Sequence, residues 1–369
     1  MKVLLAGGGT GGHIYPAVTI ARGLQAAQPD CEILFVGTRQ GLEADIIPKE
    51  GFAFRAIDVQ GMQRKLSWDT LRTIGKMLKG LVQSRRIIRS FQPDVVIGTG
   101  GYVCGPVVLL ASLLRIPTVI QEQNVIPGVT NKLLARLVKL VLVGFPEAAK
   151  FFPRGAVIAA PGNPVRTEII DARKDEGLRA FALDPAKHTI LVAGGSRGAR
   201  TINEAMLQVY RDFAGDRNVQ ILHVTGTGEY ESLKAKAQQN GIDCGENGNI
   251  ILVPYLYNMP AALAAADLIV YRAGAVGLAE ITVRGLPAIL IPYPYAAENH
   301  QEYNARLLAE KGAAVVITDK ELTGETLSRT ISRLLSEPGK LTQMSAASRA
   351  LGRPRATVDI VESILALLK

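Results

Sequence analysis

Short apolar runs that stop at clustered glycines recur along this chain, and each marks a place where backbone can meet an anion. The first reads Val3-Leu4-Leu5-Ala6-Gly7-Gly8-Gly9-Thr10-Gly11-Gly12-His13, the second Ile190-Leu191-Val192-Ala193-Gly194-Gly195-Ser196-Arg197-Gly198-Ala199-Arg200. An apolar run too short for a helix and ending in Gly-Gly predicts a buried parallel strand that turns into a helix. The open N–H groups and the dipole of that helix start favour a negative group, commonly phosphate. A third turn of this kind is Tyr271-Arg272-Ala273-Gly274-Ala275-Val276-Gly277-Leu278-Ala279-Glu280. Its amides from Ala275 to Ala279 suit a pyrophosphate, Glu280 suits ribose hydroxyls, and Arg272 offers charge to a leaving diphosphate.

Proton-handling groups lie beside these turns. His13 stands where the first helix begins, and a neutral imidazole there can take a proton from an attacking hydroxyl. Its plain alternative is a helix cap packed on Tyr15. Gly100-Gly101 after the run Asp94–Ile97 would let backbone approach a bulky ligand, with Tyr102 adding a hydroxyl. Gln121-Glu122-Gln123-Asn124 follows another short apolar run, so Glu122 is a second candidate base, or else a side chain capping its own loop. Glu298-Asn299-His300-Gln301 could read sugar hydroxyls. There is no His-x-x-x-His, no cysteine pair and no Asp-x-Asp run, so no metal or other cofactor is expected. Amides, helix dipoles and arginines would have to stabilise a departing diphosphate.

Gly7-x-Gly9-x-x-Gly12 also matches the dinucleotide fingerprint, which expects an acid at the end of the second strand. Here Ile33–Val36 leads into Gly37-Thr38-Arg39, and only a 2′-phosphate would suit Arg39. That reading leaves the second glycine turn unexplained. Neither loop has the Gly-Lys-Ser/Thr ending of a Walker-type site.

The elements that must carry these residues alternate regularly. Strand signals fall at Val3–Ala6, Ile33–Val36, Val95–Gly98, Thr118–Gln121, Leu140–Val143, Thr189–Ala193, Val219–Val224, Ile250–Val253, Leu268–Tyr271, Ala288–Ile291 and Ala314–Ile317, with helical patterns between them. This βαβ rhythm predicts an α/β fold with doubly wound parallel sheets. At 369 residues the chain exceeds one ordinary core, so two Rossmann-like domains facing a cleft are expected. The Pro161–Arg166 segment, with two prolines and a glycine, reads as a hinge. The expected division is residues 1–161, 162–343, and a terminal segment 344–369 whose helix carries Val358, Val361, Leu365 and Leu368 on one stripe and returns to the first domain.

Bulk properties narrow the class. With 48% hydrophobic and 20% charged residues the chain is globular. Three scattered cysteines suit a reducing compartment, and no secretory pattern or membrane span is evident. The net charge of +9 is concentrated between Met62 and Arg89, where Arg64, Lys65, Arg72, Lys76, Lys79, Arg85, Arg86 and Arg89 face only Asp69. Leu71, Ile74, Leu78, Leu81 and Val82 recur near helical spacing among them, which reads either as a dock for anionic lipid or as an ordinary surface helix. No aromatic stacking series accompanies the charge, so nucleic acid is not an expected partner.

Taken together, Gly8–His13, Gly100-Gly101-Tyr102, Glu122-Gln123-Asn124, Gly162-Asn163-Pro164-Val165-Arg166, Gly194-Gly195-Ser196-x-Gly198-Ala199 and Gly274–Glu280 resemble the MurG family of bacterial glycosyltransferases, in the same order along the chain. The resemblance implies a GT-B architecture and an inverting transfer of N-acetylglucosamine from UDP-N-acetylglucosamine, a co-substrate. The acceptor would be the muramoyl 4-hydroxyl of undecaprenyl-diphospho-muramoylpentapeptide (lipid I), giving lipid II for peptidoglycan. Donor contacts would fall at Thr10, Gly11, Gly12, Asn124, Arg166, Ser196, Leu256, Ala275, Val276, Gly277, Leu278, Ala279, Glu280 and Gln301. His13, Tyr102 and Glu122 fall in the acceptor region, with His13 or Glu122 as base. The chain carries Arg197 where members often have Gln, and Ala273 where Ser is common. A lipid acceptor further implies a peripheral position on the cytoplasmic face of the membrane, docked through Lys76, Lys79, Arg85 and Arg86, among other cell-wall synthesis proteins. A UDP-N-acetylglucosamine 2-epimerase, a glycolipid synthase using diacylglycerol, and a non-catalytic nucleotide-sugar sensor are the competing readings.

Overall fold

The computed structural model of the chain describes residues 1–60, 68–195, 198–245 and 248–369, and their side chains except those of 68–74 and 76. It divides into two compact units, Met1–Val165 together with Arg353–Lys369, and Arg166–Gly352.

The first unit holds β1 (Lys2–Gly7), β2 (Glu32–Gly37), β3 (Ala53–Ala56), β4 (Val95–Gly100), β5 (Thr118–Glu122), β6 (Leu140–Val143) and β7 (Ile158–Ala159). Their order across the sheet is β3-β2-β1-β4-β5-β6-β7, all parallel. Alternate side chains of β1 serve opposite faces, as the strand period requires. Val3 and Leu5 join a core with Ile14, Ala17 and Ile20 of the helix Gly11–Ala27. Leu4 and Ala6 join another with Val107, Val108 and Ala111 near the helix Cys104–Leu113. Both faces are therefore covered, which is why the strand reads as an unbroken apolar run.

The second unit repeats the plan with β8 (His188–Ala193), β9 (Val219–Val224), β10 (Ile250–Val253), β11 (Leu268–Tyr271), β12 (Ala288–Leu290) and β13 (Ala314–Val316). The order is β10-β9-β8-β11-β12-β13, again parallel throughout. The strands without a sequence signal are β3 and β7. Both are short edge strands, and β3 is half exposed along its length, so neither shows the apolar run of a central strand.

The chain crosses between units after Val165 and after Gly352, about four and about nine residues beyond the expected positions. The helix Lys340–Leu351 stays with the second unit, because Met344 is buried in that unit's core. The last helix, Ala356–Ala366, belongs to the first unit. Its buried face is Ala356, Ile360, Val361 and Ile364, while Val358 is 46% exposed, so the expected stripe is rotated. Thr357 ties this helix down by donating from its hydroxyl to the Val165 carbonyl (2.9 Å) and accepting from the Val165 N–H (3.1 Å).

The basic segment forms the helix Trp68–Phe91. Of its expected apolar stripe, Leu78 and Val82 are 57% and 53% exposed, the Leu71 and Ile74 side chains lie outside the described ones, and the buried positions among the described side chains are Gly80, Ser84 and Ile88. Residues 61–67 and the Lys76 side chain lie outside the described residues. Among the described residues, no helix is long and apolar enough to cross a membrane.

Candidate active site

Each sheet reverses its strand order once near the middle, between β1 and β4 in the first unit and between β8 and β11 in the second. Loops leaving neighbouring strands in opposite directions open a crevice at their carboxyl ends, where ligands of such sheets bind. The glycine turns after β1, β8 and β11, and the Gly100–Tyr102 turn after β4, all fall at these points.

In the first unit the turn after β1 delivers His13 as the third residue of its helix, half buried. Its Nδ1 lies 2.9 Å from the Thr99 carbonyl oxygen and 3.1 Å from Gln123 Oε1. A carbonyl oxygen only accepts, so Nδ1 carries the proton and Nε2 keeps its lone pair. No hydrogen bond to Nε2 is found among the described residues. The Thr99 hydroxyl donates to the His13 carbonyl (2.8 Å), fixing the backbone as well as the ring. The ring rests against Gly100, where φ is +109° and an added Cβ would stand 2.7 Å from His13 Nδ1. Only glycine fits both the conformation and the contact.

The Glu122 carboxylate is engaged within its own loop. It is 2% exposed, and one oxygen accepts from the Asn124 N–H (3.0 Å) and side-chain amide (3.2 Å). The other accepts from the Gly128 N–H (3.0 Å) and Asn131 Nδ2 (2.8 Å). A carboxylate with four donors and no solvent face shapes its loop and is badly placed to abstract a proton. Asn124 is held by that carboxylate. Tyr102 is 40% exposed beside the glycine turn. Thr10 and Gly12 are exposed, and the N–H groups of Gly11 and Gly12 precede the first helical hydrogen bond, so this end is open to a ligand.

Glu43 gives no signal in the sequence. It is fully buried and accepts from the Thr38 N–H and hydroxyl (both 2.8 Å) and from the Gly9 N–H (3.0 Å). A Cβ on Gly8 or Gly41 would collide with its carboxylate and one on Gly37 with its Cγ, so three glycines form its cradle. One amide of the first glycine turn is thus satisfied from within the protein, and the turn is braced to the end of β2.

In the second unit the helix Ala275–Arg284 starts at Gly274 with no acidic residue in its first turn. The Leu278 N–H already donates to the Gly274 carbonyl (3.0 Å), so the open amides are those of Ala275, Val276 and Gly277. Leu278 and Ala279 stand inside the ladder, and the Leu278 side chain is wholly buried. Glu280 is 8% exposed, and its Oε1 accepts from Arg166 Nη2 (2.8 Å) and Nε (3.1 Å). Burial pushes the Glu280 carboxyl above its ordinary range, and the Arg166 guanidinium pulls it back. The Arg272 guanidinium is turned to partners within the protein. It is 9% exposed and donates to Asp319 (2.6 Å), Thr201 (2.8 Å) and the carbonyls of Ile291 and Pro292. Gln301 accepts from the Tyr293 N–H through Oε1 (2.9 Å), which turns its amide NH2 away from that bond. Leu256 is half buried in the loop after β10. Glu298 and Asn299, just before Gln301, hold φ values of +53° and +52°, a strained pair of the sort found at ligand-reading loops. Ser196 and Arg197 lie outside the described residues. Among the described residues no cluster of three or more His, Cys, Asp or Glu side chains could hold a metal.

A buried histidine braces the second glycine turn from beneath. His223 on β9 bonds through Nδ1 with the Tyr210 hydroxyl and through Nε2 with Asn203 Oδ1 (3.1 Å), and Asn203 Nδ2 donates to the Thr225 carbonyl (2.9 Å). The Asn203 N–H reaches the Ala199 carbonyl at the end of that turn (2.9 Å). Burial pushes His223 down to about 3 from 6.5. The unfolded chain therefore binds the proton first, and the stability of the second unit is full above pH 6.5 and lost as pH falls. The expected slope reaches about 1.4 kcal/mol per pH unit below 6.5. Thermal melts at pH 7 and pH 5 check this, and a His223→Gln variant should show a smaller drop between the two.

Comparison with known proteins places these residues in context. Residues 3–143 match the glycosyltransferase family 28 N-terminal domain and residues 189–360 match the family 28 C-terminal domain. A Desulforamulus reducens protein named UDP-N-acetylglucosamine--N-acetylmuramyl-(pentapeptide) pyrophosphoryl-undecaprenol N-acetylglucosamine transferase is 51% identical over 100% of this chain and 99% of its own. The crystal structure of Acinetobacter baumannii MurG superposes with a TM-score of 0.79 at 31% identity, covering 99% of both chains. A putative UDP-N-acetylglucosamine 2-epimerase from Listeria monocytogenes superposes at 0.70 with 15% identity, covering 99% of this chain and 96% of its own, and shares the fold alone.

Proposed function

The chain belongs to glycosyltransferase family 28, and from that premise we propose that it transfers N-acetylglucosamine from UDP-N-acetylglucosamine to lipid I, making lipid II for peptidoglycan. Its two parallel-sheet units are those of the GT-B architecture. The observation that carries the reading is the chemistry that each unit holds at its own strand-order reversal. One presents an imidazole with a bare Nε2, the other a helix start with open amides beside a buried carboxylate.

In this mechanism the muramoyl 4-hydroxyl attacks the anomeric carbon of the donor sugar from the face opposite the diphosphate. His13 Nε2 takes the hydroxyl proton as the new C–O bond forms, the bond to the diphosphate breaks, and UDP leaves with the electron pair. The Ala275, Val276 and Gly277 amides and the Ser196 turn meet the charge that grows on the diphosphate, where one such donor is worth roughly 3 kcal/mol. Glu280 accepts the ribose hydroxyls, Leu256 lies at the uracil, and Gln301 offers its amide to the sugar hydroxyls. Thr10, Gly11 and Gly12 add donor contacts from the first unit, and Tyr102 lies on the acceptor side. The chemistry as written needs no metal.

Incubation with UDP-[14C]N-acetylglucosamine and lipid I tests this directly. Label entering the butanol-extractable lipid supports it. Free N-acetylmannosamine from the donor alone identifies an epimerase, transfer only to diacylglycerol a glycolipid synthase, and donor binding without turnover a sensor.

A polyprenyl acceptor requires a membrane, and the outer face of the helix Trp68–Phe91 is the proposed dock, on the cytoplasmic leaflet. Leu78 and Val82 are exposed there with Arg85, Arg86 and Arg89, none ion-paired among the described residues. Lys79 is tethered to Asp58 at 2.7 Å and contributes less than expected. Arg85→Gln with Arg86→Gln should weaken binding to vesicles containing anionic lipid about 30-fold, at roughly 1 kcal/mol per basic residue. Cosedimentation measures it, and unchanged binding removes this helix from the dock. Other cell-wall synthesis proteins at the same surface are the further partners this position suggests.

A further inference from the structure

A chain of buried amides runs from His13 into the first unit. Gln123 is 2% exposed, Gln121 0%, Thr99 0% and Asn163 3%. Gln123 Nε2 donates to the Thr99 carbonyl (2.8 Å) and to the Gln121 carbonyl and side-chain oxygen (3.1 and 2.5 Å). Gln121 Nε2 donates to Asn163 Oδ1 (2.9 Å), and Asn163 Nδ2 donates back to the Gln123 carbonyl (2.9 Å).

This closed circuit settles which way each amide faces. Turning the Gln123 amide over would set its oxygen against three acceptors and its NH2 against the His13 Nδ1–H. Gln123 Oε1 therefore points at His13, and together with the Thr99 carbonyl it gives Nδ1–H two acceptors. Neither acceptor can donate. The tautomer with the proton on Nε2 would lose both bonds and turn a ring lone pair toward two oxygens.

We propose that Gln123 is a positioning residue that locks His13 in the Nδ1–H tautomer, through a relay anchored at Gln121 and Asn163. The lock keeps Nε2 free to accept a proton, and the two oxygen dipoles stabilise the imidazolium once it forms. A neutral amide suits this task better than a carboxylate, which would favour the charged ring before substrate arrives. The buried carboxylates among the described residues of the first unit, Glu43 and Glu122, are held by other donors. The inference rests on His13 being the base.

The test is 15N NMR of histidine-labelled full-length protein at pH 7.5, with His13 assigned by the His13→Asn variant. The expected spectrum shows a protonated Nδ1 and a bare Nε2, in one tautomer. Gln123→Met leaves the Thr99 carbonyl as the one acceptor of Nδ1–H, so it should raise the share of the Nε2–H tautomer and lower kcat about tenfold, with the KM for UDP-N-acetylglucosamine unchanged. A protonated Nε2 in the wild-type spectrum overturns the lock outright. So does a Gln123→Met variant with an unaltered ring spectrum and full kcat. His13→Asn keeps the two questions apart: if it retains turnover the base assignment fails, whatever the spectrum, and if it is inactive the spectrum alone decides the lock.

Discussion

His13→Ala is expected to lower kcat by about 10²–10⁴-fold, the range for removing a positioned general base. The KM for UDP-N-acetylglucosamine should stay within about twofold, because the proposed donor contacts on the second unit are untouched. The expectation rests on geometry. Nδ1 is committed to Thr99 and Gln123, and Nε2 is the ring atom left to work. Glu122→Gln makes the contrast. Its carboxylate already serves four donors, so the variant should lose activity through disorder of the 122–131 loop. That loss should come with a lower melting temperature, which His13→Ala should not show. Steady-state kinetics and melts on both variants separate the roles, and near-full kcat in His13→Ala would remove the base assignment.

Glu43→Ala should be the most destabilising change in the first unit, at about 3–5 kcal/mol. It strands the buried Thr38 N–H and hydroxyl, removes the acceptor of the half-buried Gly9 N–H, and empties the cradle under the first glycine turn. Glu43→Gln is the finer probe. One amide oxygen can still accept from Thr38, but the NH2 then faces the Gly9 N–H, donor against donor. It should cost less stability than alanine and still lower kcat, since the turn it displaces carries His13. Urea unfolding gives the stability, and steady-state kinetics give the loss of kcat. An unchanged midpoint for Glu43→Ala would mean that this carboxylate braces nothing.

Composition and pattern alone determined the α/β class, the two-sheet plan, most of the strand positions and the residues at the ligand-facing turns. The physical reason is that a strand buried on both faces must be apolar along its whole length, and a turn that tight requires glycine; both are written in consecutive residues. Edge strands β3 and β7 escape that logic because half of their surface meets water. The rotation of the last helix was undecided in the same way: Val358 and Ile360 are equally apolar, and only the surface beneath the helix chooses between them.

What only the tertiary structure decided is which polar groups meet. His13 bonds partners 86 and 110 residues away, and the parallel registers of β1, β4 and β5 create those distances. The same packing surrounded Glu122 with amides and Arg272 with acceptors. It also drew Glu43 beneath the first turn. A carboxylate or an imidazole acquires its role from the donors and acceptors around it, and those neighbours come from distant parts of the chain.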